Sequence, residues 1–362
     1  MNIKTLTTIF AAALIAFGCS EDGPSNNPGN DSGSLILGAD ISWTTKLEDM
    51  GCKFRSTDDK EKECTALMKE IGMNAIRLRV WVNPADGYSG KDDVLEMARR
   101  AKANGMKLMI DFHYSDSWAD PGKQVIPAAW LSLDLNGLCN AVSEHTKDVL
   151  GALKAEGIDV AWVQVGNEVN DGMLYHKALN GESGVYADWA GGCISKGGKD
   201  NYIALNNAGY DAVKSVYPDA KVIVHISNGQ TIGTAKWVLD ALGAKGKYDI
   251  IGLSLYPGGG TETENSNWAP KVNACISNIG TLAAEYGKDV MICETGMDYW
   301  YEDVAYQMLS SLLSKAKAEK HCLGVFYWEP ETDKDKLEYN MGAFKYGKPT
   351  RAMDAFTEAA GK

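Results

Sequence analysis

Eight times along this chain a short apolar, β-branched run is followed by a segment with helical spacing, and that alternation limits the fold more than any other feature. The runs fall at residues 35–40, 74–81, 106–113, 160–167, 221–226, 249–255, 289–293 and 322–328. Between them Cys64, Leu67, Met68 and Ile71 stand at i, i+3, i+4 and i+7, and so do Val94, Met97, Ala98 and Ala101. Gly72, Gly105 and Gly157 close helices, where a left-handed residue costs least without a Cβ. Strict alternation predicts a parallel α/β sheet, and eight units fit a single closed (β/α)8 TIM barrel better than a doubly wound sheet. No G-x-G-x-x-G follows any run, which removes the usual reason to expect a dinucleotide fold.

In such a barrel the reacting groups come from the C-terminal ends of the strands. Those ends carry Asp40, then Arg79 and Trp81, then Asp111, His113 and Tyr114, then Asn167 and Glu168. His225, Tyr256, Glu294, and Trp328 with Glu329 complete the circuit. Rings for sugar C–H faces alternate with polar groups for hydroxyls. Two runs deliver a glutamate: Trp162-Val163-Gln164-Val165-Gly166-Asn167-Glu168, and Val290-Met291-Ile292-Cys293-Glu294. On the fourth and seventh strands they predict two carboxyl groups opposed across the barrel mouth, the equipment of glycoside hydrolysis. The plainer alternative is a pair of solvated loop acids.

Asn167 is expected on a sugar hydroxyl, or else in a turn. Arg79 is a cation in an apolar strand, costly unless paired, and a carboxylate partner would keep Glu294 ionised. Tyr256 is expected to donate to the same carboxylate. His113 and His225 read as hydrogen-bonding groups of the cleft, since no second histidine stands at ligand spacing. Neither a metal nor a cofactor is expected. Trp81, Trp118 and Trp328 would each serve as a stacking platform or as core.

A formal net charge of −12, with no basic cluster to reverse it, excludes nucleic acid as a partner. The N-terminus has Lys4, an apolar run over 9–17 too short to span a bilayer, and Ala16-Phe17-Gly18-Cys19. Residues 1–18 therefore read as a lipoprotein signal peptide and 19–33 as a flexible tether behind a lipid-bearing Cys19, leaving 34–362 as the catalytic domain. This anchor is the only membrane contact expected, on the bacterial cell envelope and facing outward from the outer membrane, with the protein a monomer. Cys52 and Cys64 flank a charged loop and are candidates for a disulfide, whereas Cys293 and Cys322 lie in apolar strands as buried thiols.

At these residues the chain resembles glycoside hydrolase family 53, the endo-β-1,4-galactanases. The likeness rests on Gly38-Ala39-Asp40-Ile41-Ser42, Arg77-Leu78-Arg79-Val80-Trp81-Val82-Asn83-Pro84, the stretch 111–121 (DFHYSDSWADP), Gln164-Val165-Gly166-Asn167-Glu168, Asp249-Ile250-Ile251-Gly252-Leu253-Ser254, Glu294-Thr295-Gly296 and Phe326-Tyr327-Trp328-Glu329-Pro330. The resemblance implies a retaining endo-hydrolase of β-1,4-galactan, the neutral side chain of pectin. It makes Glu168 the acid/base and Glu294 the nucleophile, about 5–5.5 Å apart. It also places Arg79, His113, Asn167, Tyr256 and Trp328 around the sugar. Gly258-Gly259-Gly260-Thr261 departs from the family where relatives carry an aromatic residue and a histidine, and the short stretch Met297-Asp298-Tyr299-Trp300-Tyr301 argues against calcium. The rivals are a β-mannanase or cellulase of the same clan, and a glycan-binding surface lipoprotein without catalysis.

Overall fold

The structure, a computed structural model, describes residues 34–179, 182–186 and 191–362. The leader and tether expected over residues 1–33, with Cys19 between them, lie outside the described residues. Eight parallel strands close into a barrel. In chain order they are β1 (Ile36–Asp40), β2 (Ala75–Val80), β3 (Lys107–Phe112), β4 (Trp162–Val165), β5 (Lys221–Ile226), β6 (Ile250–Leu255), β7 (Val290–Thr295) and β8 (Cys322–Trp328). β8 pairs with β1 in register, Ile36 against Gly324 through to Asp40 against Trp328, and this seam closes the sheet.

The principal helices are α1 (Thr44–Asp49), α2 (Cys64–Ile71), α3 (Lys91–Ala103), α4 (Leu135–Ala155), α5 (Lys199–Val216) and α6 (Ile232–Leu242). They continue with α7 (Glu262–Ser266), α8 (Ala269–Tyr286), α9 (Glu302–Ala318) and α10 (Asp354–Ala359). Their starts and stops follow local chemistry. The Glu63 carboxylate accepts from the Thr65 and Ala66 N–H groups at 2.9 Å each, occupying two donors that the first turn of α2 leaves free. Gly72 then ends α2 at φ +118°, and a Cβ there would meet Ala360 just past α10 at 2.7 Å. Thr357 Oγ1 of α10 donates to the Ile71 carbonyl at 2.8 Å, so the end of the chain is tied to its first barrel unit.

Because side chains alternate along a strand, each strand feeds two cores. Outward residues such as Leu78, Ile110, Val163 and Val325 form a continuous apolar layer with the helices. Inward residues Ile36, Ala75, Met109, Trp162, Ile223, Met291 and Phe326 fill the barrel's lower interior. Gly38 has to be glycine, since a Cβ would lie 2.3 Å from the Phe326 ring. Above this apolar plug the inward positions turn polar, and the interior becomes a site.

One irregularity sets the site. Along β7 the pairing with β6 passes from Leu253–Ile292 directly to Ser254–Glu294, so Cys293 is an extra residue. The pairing with β8 shows the same excess, from Ile292–Val325 to Thr295–Tyr327. Cys293 sits among the interior residues beside Met291, and strict alternation would send Glu294 outward into the helical layer. The β-bulge cancels that half-turn and brings Glu294 to the cavity.

The disulfide considered between Cys52 and Cys64 is not formed. Cys64 opens α2 and is drawn fully into the layer between barrel and helices, while Cys52 remains half-buried in the preceding loop. That loop is closed by its own backbone pairing of Arg55 with Glu61. Cys293 and Cys322 are buried thiols.

Candidate active site

A cavity of about 390 Å³ opens at the C-terminal end of the barrel. His113, Trp118, Asp120 and Pro121 reach it from the chain after β3, Asn167 and Glu168 from β4, and Ser227 and Asn228 from β5. Tyr256, Glu294 and Trp328 come from β6, β7 and β8. The two glutamates thus face one space. Glu168 holds φ +45° immediately after Asn167, a left-handed conformation that costs an L-residue on the order of 1 kcal/mol. It is fixed by the flanking backbone: Gln124 Nε2 donates to the Asn167 carbonyl at 2.9 Å, and the Val169 N–H to the His225 carbonyl at 2.9 Å.

Arg77 organises the floor. Its guanidinium is fully buried and makes five hydrogen bonds: Nη1 to Asp40 Oδ2 at 2.6 Å, Nε to Gln164 Oε1 at 2.6 Å, and Nη2 to Glu294 Oε1, Asp111 Oδ2 and Asn167 Oδ1 at 2.8, 2.9 and 3.1 Å. Burial works against its charge, and Asp111, Glu294 and Asp40 more than offset that. Burial alone would raise Asp111, but Arg77 and His113 hold its carboxyl below the ordinary range. His113 Nδ1 accepts from the Ala119 N–H at 2.9 Å, so the proton sits on Nε2 and is donated to Asp111 at 3.0 Å. Burial lowers the His113 pKa and keeps the ring neutral.

The two glutamates differ in what they touch. Glu294 receives Arg77 and, on its other oxygen, the Tyr256 hydroxyl at 3.0 Å. Burial, then the Glu294 charge, holds Tyr256 far above the ordinary phenol range, so it remains a donor. Glu168 receives a single hydroxyl, Ser254 Oγ at 2.7 Å. Burial pushes both carboxyls upward, Glu168 to about 7 and Glu294 to about 8, and the Glu168 charge adds to the rise at Glu294 against the pull of Arg77. Arg77 and Tyr256 are donors that favour the charged form of Glu294, whereas Glu168 has one such donor.

Several residues fall elsewhere than sequence reasoning put them. Arg79 does not meet Glu294; it pairs with the buried Glu329 at 2.7 Å and lies 4.3 Å under the Trp118 ring. Arg77, two residues earlier on the same face and one layer deeper, holds that position instead. Tyr114 is not in the cleft: on the outward face of its strand, its ring stacks on Phe112 and its hydroxyl meets Thr146 of α4 at 2.7 Å. Asp40, Asp111 and His225 are fully buried behind the wall rather than on it. Trp81 stands edge-on behind Trp118 at 5.0 Å, and Trp118 and Trp328 meet at 5.7 Å to form the aromatic wall. Gln164, Ser254 and Asp120 fall within the family-like stretches but had no role assigned to them, although Ser254 shares the inward face with Tyr256 two residues on. Among the described residues no cluster of three or more His, Cys, Asp or Glu side chains is arranged to hold a metal ion.

Comparison with known proteins agrees with this geometry. The profile of Glycosyl hydrolase family 53 matches residues 36–359. An endo-beta-1,4-galactanase of Bacillus subtilis (strain 168) is 33% identical over 328 residues, covering 82% of this chain and 70% of the relative. An arabinogalactan endo-beta-1,4-galactanase of Humicola insolens is 30% identical over 318 residues, covering 80% and 88%. Among solved structures, fungal beta-1,4-galactanases superpose with a TM-score of 0.77 at 26% identity, covering 90% of this chain and 100% of theirs. The family 53 catalytic domain of Ignisphaera aggregans does so with 0.76 at 25%, covering 91% and 97%.

Proposed function

The chain belongs to glycosyl hydrolase family 53, and from that membership and the cavity's two unequal carboxyls we infer an endo-β-1,4-galactanase acting on galactan and on type I arabinogalactan. One observation carries the assignment of roles: Glu294 is held by a guanidinium and a phenol, whereas Glu168 is held by a single serine hydroxyl. A carboxylate kept charged suits the nucleophile, and a carboxyl kept protonated by burial suits the general acid. In the proposed cycle Glu294 attacks the anomeric carbon while Glu168 gives its proton to the departing glycosidic oxygen. Glu168, now a carboxylate, then takes a proton from water, and that water releases the sugar from Glu294. Asn167, fixed by Arg77, His225 and the Ala119 carbonyl, stands beside both acids at a position suited to a sugar hydroxyl. Trp118 and Trp328 offer ring faces, and a neutral polymer meets no charge penalty in an acidic site.

Purified residues 34–362 are expected to release reducing ends from linear galactan and not from mannan or carboxymethylcellulose. Loss of turnover with binding intact would favour a glycan-binding role. Glu168→Ala is expected to lose galactan cleavage but to keep a burst of phenol from an aryl glycoside whose leaving group needs no proton; equal loss on both would remove the acid assignment. The protein is proposed to be a monomer, checked by sedimentation. The lipid anchor at Cys19, supported by the short apolar run before it, would be lost as palmitate labelling in Cys19→Ala.

A further inference from the structure

Ser254 stands between two groups that both need its one proton. Its Oγ lies 2.7 Å from Glu168 Oε1 and 2.9 Å from His225 Nε2. The His225 proton is spoken for. Asn167 donates Nδ2 to the Ala119 carbonyl at 2.7 Å, so its Oδ1 faces Arg77 and His225 Nδ1, the latter at 2.8 Å, and that oxygen can only accept. The Glu168 N–H also points at Nδ1 from 3.4 Å, but the shorter contact, 2.8 Å to an oxygen that can only accept, puts the proton on Nδ1 and leaves Nε2 bare toward Ser254; burial, followed by the charge of Arg77, keeps the ring neutral.

Two arrangements satisfy these constraints. With Glu168 protonated, its O–H donates to Ser254 Oγ and Ser254 donates to His225. With Glu168 ionised, Ser254 must turn its proton to the carboxylate, and His225 Nε2 loses its donor. A third, with the Glu168 proton on its other oxygen and Ser254 still donating to Oε1, would leave His225 Nε2 without a donor even while the acid is neutral.

We propose that Ser254 is a positioning residue for the hydrolytic cycle, a rotating hydroxyl that accepts from Glu168 when it is the acid and donates to it when it is the base. This rests on the galactanase reading above. The proton balance is closed: Glu168 passes its proton to the leaving oxygen, the Ser254 O–H swings from His225 to Glu168 with no bond broken, and the proton taken from water in the second step returns Ser254 to His225. The same contacts form an unbroken line from Glu168 through Ser254, His225, Asn167 and Arg77 to Glu294. Each acid is thereby in hydrogen-bond communication with the other.

The groups that face Glu168 are Arg77 from β2, Asp111 and Asp120 from β3 and the chain after it, His225 from β5, Ser254 and Tyr256 from β6, and Glu294 from β7. Among the hydrogen bonds to its carboxyl, only that from Ser254 favours the ionised form. A donor to a charged oxygen is worth more than an acceptor to a neutral one. Removing it therefore raises the pKa of Glu168.

The test is the pH dependence of kcat/KM on linear galactan for the wild type, Ser254→Ala and Ser254→Thr. The alkaline limb of Ser254→Ala is expected to move up by about one pH unit, with the acid limb in place and with slower turnover of an aryl galactoside, where the base-assisted second step is exposed. Ser254→Thr keeps the hydroxyl and is expected to restore the wild-type limb. An alkaline limb that coincides in all three proteins, with activity reduced evenly at every pH, would overturn the proposal. Carbon-13 titration of Glu168 in the resting protein, assigned with Glu168→Gln, reads the same order without turnover. A wild type inactive on galactan would thus sink the substrate reading separately, while an unmoved titration in Ser254→Ala would sink this one.

Discussion

Arg77→Lys tests how the floor of the barrel is held. The wild-type guanidinium serves five acceptors, three of them carboxylates, with no access to water. A lysine keeps the charge but has three donors on one nitrogen, so at least two of the five acceptors lose a partner where nothing can replace it. At roughly 1.5–3 kcal/mol for each lost bond to a charged group, the domain should lose about 3–6 kcal/mol, read as a melting point at least several degrees lower. Activity should respond through Glu294. With Nη2 gone, its carboxylate is less favoured, its pKa rises, and the acid limb of kcat/KM moves up. At pH 7 a fall on the order of 100-fold is expected, comparable with removing one donor from a developing charge. Arg79→Lys is the control, because Arg79 pairs with Glu329 and supports Trp118 without touching Glu294. It should lose stability and weaken KM while its acid limb stays put. Melting curves and pH profiles of both variants decide the matter. If the two acid limbs move together, or if Arg77→Lys melts with the wild type, the assignment of Glu294's charge to Arg77 is wrong.

Two further outcomes follow from buried groups. Tyr256→Phe removes the only phenol donor on Glu294, so kcat/KM should fall about 10- to 100-fold with the acid limb displaced upward and the melting point little changed; an unshifted limb would argue that Arg77 alone sets the charge. Glu329 and Glu331 are buried together, and burial, then the neighbouring carboxyl for Glu331, raises both, Glu329 to about 7 despite Arg79. The native state therefore keeps protons that the unfolded chain releases near pH 4.3, so stability falls as pH rises from there past 7. Melting points measured from pH 5 to 8 should decline in the wild type and flatten in Glu331→Gln, and parallel declines would exclude this pair as the source.

The barrel was legible because each unit writes its own signal: an apolar run, a helical period and a terminating glycine, all local. The two glutamates were legible for a related reason, as polar residues at the ends of strands with nothing else to explain them. What failed was parity within a strand. Tyr114 follows Phe112 on the outward face, and counting inward positions from Met109 through Asp111 to His113 would have excluded it from the cleft. Arg77 and Arg79 share the inward face, and only depth separates them: the deeper one reaches β7 across the barrel, the shallower one reaches the chain after β8. Glu294 shows the opposite difficulty, since counting past Cys293 would have turned it outward, and only the bulge at that residue brings it back. Ser254 closes one of the family-like stretches but gave no sign of its role, for a serine in a strand has many bland explanations until both its neighbours are seen.

That inserted residue has an implication for how this strand can change. Alternation makes the direction of every side chain past a given point depend on how many residues precede it, so at 293 the count matters more than the chemistry. A serine or alanine there would alter packing modestly, and a deletion would straighten the strand: Glu294 would follow Ile292 directly, still opposite Ser254 and still turned inward by plain alternation, but without the twist the bulge gives it. Point substitution explores this position freely; loss of the residue would trade the bulge for a regular strand, changing how the carboxyl is aimed at Arg77 rather than the face it stands on.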